Sequence, residues 1–128
     1  MAYILPSFYS IQSSSTENEQ TVFRICLNDN CPVYEGHFVG EPVCPGVMSI
    51  QMLVECASRV AQKTLYIDTI KQCRFYALMT PKEHQLITAH IQLTPQDSSL
   101  LLSASIVANE QTMLSLKALL TEQPSILS

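Results

Sequence analysis

The stretch from Gly46 to about Lys63 constrains the fold more than any other. Val47, Met48, Ile50, Met52, Leu53, Val54, Cys56, Ala57, Val60 and Ala61 spread apolar side chains over most of a helical circumference. The polar residues Gln51, Glu55, Ser58, Arg59 and Gln62 recur at i, i+4, i+7, i+8 and i+11, which makes one polar stripe on that helix. A helix that is apolar almost all round is buried, so the rest of the chain has to supply something that wraps it.

The wrapping material follows the helix. "KQCRFYALM" (71–79), "QLITAHIQL" (85–93), "SLLLSASIVA" (99–108) and "TMLSLKALL" (112–120) read as four strands, separated by "TPKEH", "TPQDS" and "NEQ". Connections that short imply antiparallel neighbours. Ahead of the helix, "TVFRICL" (21–27) puts Phe23, Ile25 and Leu27 on one strand face and Val22, Arg24 and Cys26 on the other. Ala2 to Ile11 reads as an extended lead-in, Gln12 to Gln20 as a polar turn region, and Tyr34 to Pro45 as an irregular loop rich in Gly and Pro. The end of the chain, from about residue 121, reads as a frayed tail. The expected class is α+β, an antiparallel sheet curled around one long buried helix.

With 128 residues and 47% hydrophobic content, the chain suffices for one domain with a proper core. A net charge of -4, with seven basic residues scattered along the chain, argues against phosphate-backbone recognition, so no nucleic-acid partner is expected. The five cysteines (Cys26, Cys31, Cys44, Cys56, Cys73) form no C-x-x-C pair and lack the close His or Cys neighbours of a zinc site. An odd, unpatterned set suits a reducing cytosol. No apolar run approaches the roughly 18 residues of a spanning helix, and the N-terminus has no basic region ahead of its apolar residues. A soluble cytoplasmic protein without a membrane partner is therefore the expectation.

The segment "GHFVGEPVCPGV" (36–47) resembles the active-site motif of the beta-hydroxyacyl-acyl carrier protein dehydratases of the FabA/FabZ type, which have the hot-dog fold. Gly-His-Phe, a short spacer, Pro, two residues and Pro-Gly precede the central helix, as in that family. "TVFRICLNDNCPVYEGHF" (21–38) and "CRFYALMTPKEHQL" (73–86) extend the likeness to about two thirds of the chain, although the family's Pro-Gly-Asp is replaced by "PKEH" (81–84). The resemblance implies a 3-hydroxyacyl thioester substrate carried by acyl carrier protein or coenzyme A. It also implies loss of water to a trans-2-enoyl thioester, with no metal and no bound redox cofactor.

The chemistry agrees with the roles the family assigns. Taking a proton α to a thioester carbonyl needs a base that is neutral near pH 7, and His37 is the candidate. Developing negative charge on the thioester oxygen needs donors, and the Gly46 amide, at the positive end of the helix, is the candidate. Phe38, Pro45 and Val47 flank these two as substrate-binding candidates.

The third role departs from the pattern. The family places Glu or Asp five residues after the Pro-Gly glycine, where this chain has Gln51, and many members carry Gln one turn later, where this chain has Glu55. An amide can orient a hydroxyl or a water but cannot give up a proton. Loss of a general acid costs roughly 10²- to 10⁴-fold. The two residues look exchanged, about 6 Å apart along one helix face. Gln51 is then an orienting group and Glu55 the candidate that supplies or relays the proton; pairing with Arg59 at i+4 is the ordinary alternative for Glu55.

Surface positions are expected for His84 and His90, and packing roles for Met48 and Met52. The family forms dimers whose sheets join edge to edge, each site taking His from one subunit and the helix acid from the other. A homodimer or higher oligomer is therefore expected, and so is the option of a heterodimer in which a related subunit brings a true acid to His37. Two other readings stay open. One is a non-catalytic or half-catalytic subunit that binds acyl chains or an active relative. The other is a hot-dog thioesterase, which the Gly-His-Phe and Pro-Gly pattern disfavours.

Overall fold

The computed structural model describes residues 8–28, 46–80 and 84–122. The elements in chain order are β1 (Tyr9–Glu17), β2 (Gln20–Leu27), α1 (Gly46–Ala61), β3 (Tyr66–Phe75), β4 (Leu86–Gln96), β5 (Ser99–Ala108) and β6 (Gln111–Thr121). The six strands make one sheet in the order β1-β2-β4-β5-β6-β3, and every neighbouring pair is antiparallel.

One face of this curled sheet closes on α1. Phe23, Ile25 and Leu27 of β2 are buried there, with Ile87, Ala89 and Ile91 of β4, Leu102, Ala104 and Ile106 of β5, and Leu116, Ala118 and Leu120 of β6. Alternate residues such as Ser103, Ser105 and Ser115 face outward, half buried. The period-2 pattern thus sets the register, since a slip by one residue would turn the serines onto the helix. From Met52 through Ser58 every residue of α1 is buried, Glu55 and Ser58 of the polar stripe included. This is the wrapping that the apolar circumference demanded. Each fully buried Leu or Ile contributes on the order of 1.5–3 kcal/mol.

Two stretches depart from the sequence-based expectation. The stretch from Gln12 to Gln20 is not a turn region: β1 runs to Glu17, and the turn is the pair Asn18–Glu19, at φ 52° and 66°. β1 is an edge strand, so most of its residues face water, and the serines carry no apolar alternation to betray the strand. Likewise β3 begins at Tyr66, not Lys71, and ends at Phe75, not Met79. It lies on the opposite edge, exposed along most of its length and bulged twice, near Asp68 and Lys71. The Tyr76 amide still donates to the Met113 carbonyl at 2.9 Å, Ala77–Thr80 runs on outside the ladder, and the Thr80 amide donates to His84 Nδ1 at 3.0 Å while the His84 amide donates to the Thr80 carbonyl at 2.7 Å. The imidazole of His84 is therefore tied to the Thr80 backbone.

The helix stops in a Schellman motif. Gln62 takes the left-handed conformation (φ 58°), the Lys63 amide donates to the Ser58 carbonyl at 3.2 Å and the Gln62 amide to the Arg59 carbonyl at 3.3 Å. Ser58 then fastens the helix end to the entry of β3, its hydroxyl donating to the Val54 carbonyl (3.0 Å) and accepting from the Leu65 amide (3.0 Å). Thr121 completes β6, and Glu122 reaches Lys63 at 3.2 Å, so the described part of the expected tail is held. That exposed ion pair adds at most about 1 kcal/mol. Among the described residues no helix is long and apolar enough to cross a membrane.

Ser58→Ala leaves the buried Leu65 amide without its acceptor, and the expected cost is about 1–3 kcal/mol of unfolding free energy. Urea unfolding followed by circular dichroism measures it, with an unchanged m-value as the sign that only stability has moved.

Candidate active site

Helix α1 begins at Gly46, where the first backbone N–H groups have no intrahelical acceptor and the helix dipole is positive. A cleft of about 500 Å³ opens beside this end, lined by Gly46, Ser49, Phe75, Tyr76, Ala77, Leu78, Met79, Met113 and Leu114. Its walls are mostly apolar, of a size that accepts a small acyl group. The Phe75 ring lies directly over Gly46: a Cβ on that residue would stand 2.8 Å from Phe75 Cζ, closer than real contacts allow. Glycine lets the aromatic side chain lie against the bare backbone, and any larger residue would push the ring aside. Phe75 and Leu78 are 56% and 74% exposed, so the mouth of the cleft is apolar and open.

The methionines of this cleft are Met79 and Met113. Met52 is instead fully buried in the core, in the packing role expected for it, and Met48 packs partly against that core. Thioether side chains adapt to a flexible ligand, which suits an acyl chain. Neither Met79 nor Met113 stood out in the sequence, because they come from an irregular segment and from the start of β6 and meet only after folding.

The exchanged pair sits on the other side of α1. Successive residues turn by about 100°, so Gln51 lies roughly 160° around the helix from Ser49. Glu55 is 2% exposed, yet it is a carboxyl group, and its partners explain how it can be there. The Tyr9 hydroxyl of β1 donates to Glu55 Oε1 at 2.6 Å, and Gln51 Nε2 donates to Oε2 at 3.4 Å. The first contact is short and joins residues 46 positions apart in the chain. Gln51 and Glu55 therefore do meet, as their spacing predicted. Tyr9 had no signal beyond a place in an apolar lead-in.

Of the remaining sequence-predicted site residues, Val47 is largely exposed and does not line the cleft, whereas His37, Phe38 and Pro45 lie outside the described residues, as does the Tyr34–Pro45 loop. His90 is half buried on the outer face of β4, near Thr88.

The family model of the ApeI-like dehydratases matches residues 12–116. The chain belongs to this dehydratase family. It is 34% identical over 84 residues to the 3-hydroxyacyl-[acyl-carrier-protein] dehydratase FabZ of Lactiplantibacillus plantarum, covering 60% of this chain and 54% of that protein. To the FabZ of Wolbachia pipientis it is 31% identical over 70 residues, 49% of each chain. The chain thus spans about half the length of the curated relatives it matches.

Among solved structures, the dehydratase heterocomplex ApeI:P from Xenorhabdus doucetiae superposes with a TM-score of 0.70 at 17% identity, covering 88% of this chain and 96% of that one. A thioesterase-like protein with coenzyme A from Streptococcus pneumoniae follows at a TM-score of 0.57 and 11% identity, covering 91% and 88%. At such identities the likeness is one of fold, and the fold is hot-dog.

Burial pushes the Cys56 thiol up to about 12, with nearby Arg59 working against the shift and Glu55 adding to it. Its neutral form is therefore favoured by folding, and the unfolded chain ionises first. This contribution to stability is level below pH 9 and declines as pH rises from 9 toward 12. Native Cys56 is expected to stay unmodified by a thiol-directed alkylating reagent at pH 8 and to react fully in denaturant, as read by peptide mass mapping.

Proposed function

We propose that this protein removes water from a 3-hydroxyacyl thioester to give a trans-2-enoyl thioester, the acyl chain being carried on acyl carrier protein or coenzyme A. The observation that carries this reading is the presence on one helix of a glycine-headed N-terminus opening on an apolar cleft and, about one and a half to two and a half turns further along, a hydrogen-bonded Gln51–Glu55 pair. Membership of the ApeI-like dehydratases supports it.

In this reading the thioester oxygen accepts a hydrogen bond from the Gly46 amide, and Phe38, Pro45 and Val47 flank the acyl group. His37 takes the α-proton as the Cα–Cβ double bond forms, and the Cβ–O bond breaks. Gln51 orients the leaving hydroxyl, which takes a proton supplied or relayed by Glu55 through a bridging water and departs as water. Solvent then returns a proton to Glu55 and removes one from His37, so the protein is unchanged over the cycle.

A second reading rests on the helix geometry. The cleft and the Gln51–Glu55 pair face different ways around α1, which suits a composite site in which one subunit's carboxyl group serves another subunit's cleft. The strand β3 edge, with Tyr66, Ile70 and Phe75 exposed, suits pairing with a second hot-dog subunit. A copy of this chain would give a homodimer. A related chain would give a heterodimer and could bring the missing acid, an arrangement that the name of the ApeI:P heterocomplex brings to mind.

The assay follows enoyl absorbance and free thiol together after adding a 3-hydroxyacyl thioester, with the protein alone and with a related hot-dog subunit. Enoyl formation alone is expected; free thiol without enoyl would make the protein a thioesterase. His37→Ala should abolish turnover and Glu55→Gln should lower kcat by about 10²- to 10⁴-fold. An unchanged rate in Glu55→Gln would remove Glu55 from the mechanism. Gly46→Ala should displace the Phe75 ring and cut kcat/KM by about 10-fold or more through misplacement of the thioester.

A further inference from the structure

We propose that Tyr9 is a positioning residue for the reaction: its hydroxyl fixes the Glu55 carboxyl group so that Oε2 is the oxygen turned toward Gln51. This inference rests on the dehydratase reading above and adds to it a residue that lies outside the motif. A Glu side chain on a helix has three rotatable bonds, and a carboxyl group free to swing about them would present itself to Gln51 only part of the time. The 2.6 Å bond from the Tyr9 hydroxyl to Oε1 holds the group in one orientation. Oε2 is left to receive Gln51 Nε2 at 3.4 Å.

The geometry also sets what Gln51 presents. Because the amide is planar, a nitrogen directed at Glu55 turns the Gln51 oxygen away from it, and that oxygen is an acceptor for a substrate hydroxyl or a water. Tyr9, Glu55 and Gln51 thus form a line of hydrogen bonds from strand β1 to the first turns of α1. The line is anchored well, because Tyr9 pairs with Leu27 at the end of β2 and its ring packs edge-on against the buried Phe8 at a centroid distance of 6.1 Å.

Tyr9→Phe keeps the ring and removes the hydroxyl. Steady-state kinetics on Tyr9→Phe, Glu55→Gln and the double variant, with the related subunit present if turnover requires it, read the effect on the reaction. Tyr9→Phe is expected to lower kcat by about 10- to 100-fold with KM within about twofold. The double variant should be no worse than Glu55→Gln, because both act through one carboxyl group. The side-chain NH₂ signals of Gln51 in a ¹H–¹⁵N spectrum read the positioning without any reaction and should shift or broaden in Tyr9→Phe.

Losses that multiply in the double variant, or unmoved Gln51 signals, would overturn the positioning role. So would a Tyr9→Phe variant that only melts earlier at an unchanged kcat. If the wild-type protein forms no enoyl product under any condition, the dehydratase reading fails and with it a role for Tyr9 in that reaction; the Gln51 signals then still report whether the hydrogen-bonded line exists.

Discussion

A carboxyl group in the middle of a hydrophobic shell is the constraint to which the other elements answer. Glu55 lies between Val54 and Cys56 on a helix stretch buried on all sides, and an unpartnered charge there would cost several kcal/mol. Wrapping the helix asks that this group be hydrogen-bonded, and a short bond comes from Tyr9, on the edge strand β1 that precedes the other elements described. The first strand is thereby tied to the central helix by chemistry as well as by packing. Without Tyr9 the helix would still be apolar enough to be buried, but its one internal carboxyl group would lose the shorter of its two described hydrogen bonds.

The two ends of α1 are held in different ways. Its C-terminus is capped: the Schellman turn at Gln62 and the Ser58 hydroxyl take up carbonyl and amide groups and lead the chain into β3. Its N-terminus opens instead on a cleft, with Phe75 laid across the glycine. A helix closed at one end and open at the other directs its donors toward a ligand, which is the electrostatic arrangement an enolate-forming reaction uses. The departure from the FabZ-type pattern lies in the side chains along the helix rather than at its head. Moving the carboxyl group from position 51 to position 55 carries it from a half-buried position into the core.

Much of this was legible in the chain because the signals were local. The period of α1, the alternation of β2 and β5, and the turn residues after β4 and β5 each follow from side chains reacting to one buried surface. β1 was not legible: its serines face water, so an edge strand and a polar turn look alike in composition. β3 was misjudged at both ends for the same reason. At the site, Gln51 and Glu55 could be paired from helical spacing alone, whereas Tyr9, Phe75, Met79 and Met113 reach it through pairings between distant strands that no window of sequence contains.

The hairpin turns carry one more implication. β1–β2 and β5–β6 close on the same dipeptide, Asn18–Glu19 and Asn109–Glu110, and all four residues are left-handed. Asparagine tolerates that conformation, but glutamate does so poorly, and the usual occupant of the second position is glycine. The chain contains three glycines, all between positions 36 and 46. Backbone latitude has thus been withheld from the hairpins and concentrated in the motif segment. The strand ladders have to dictate the turns rather than follow from them, which leaves both hairpin tips as untapped reserves of stability that a designer could reach without touching the site.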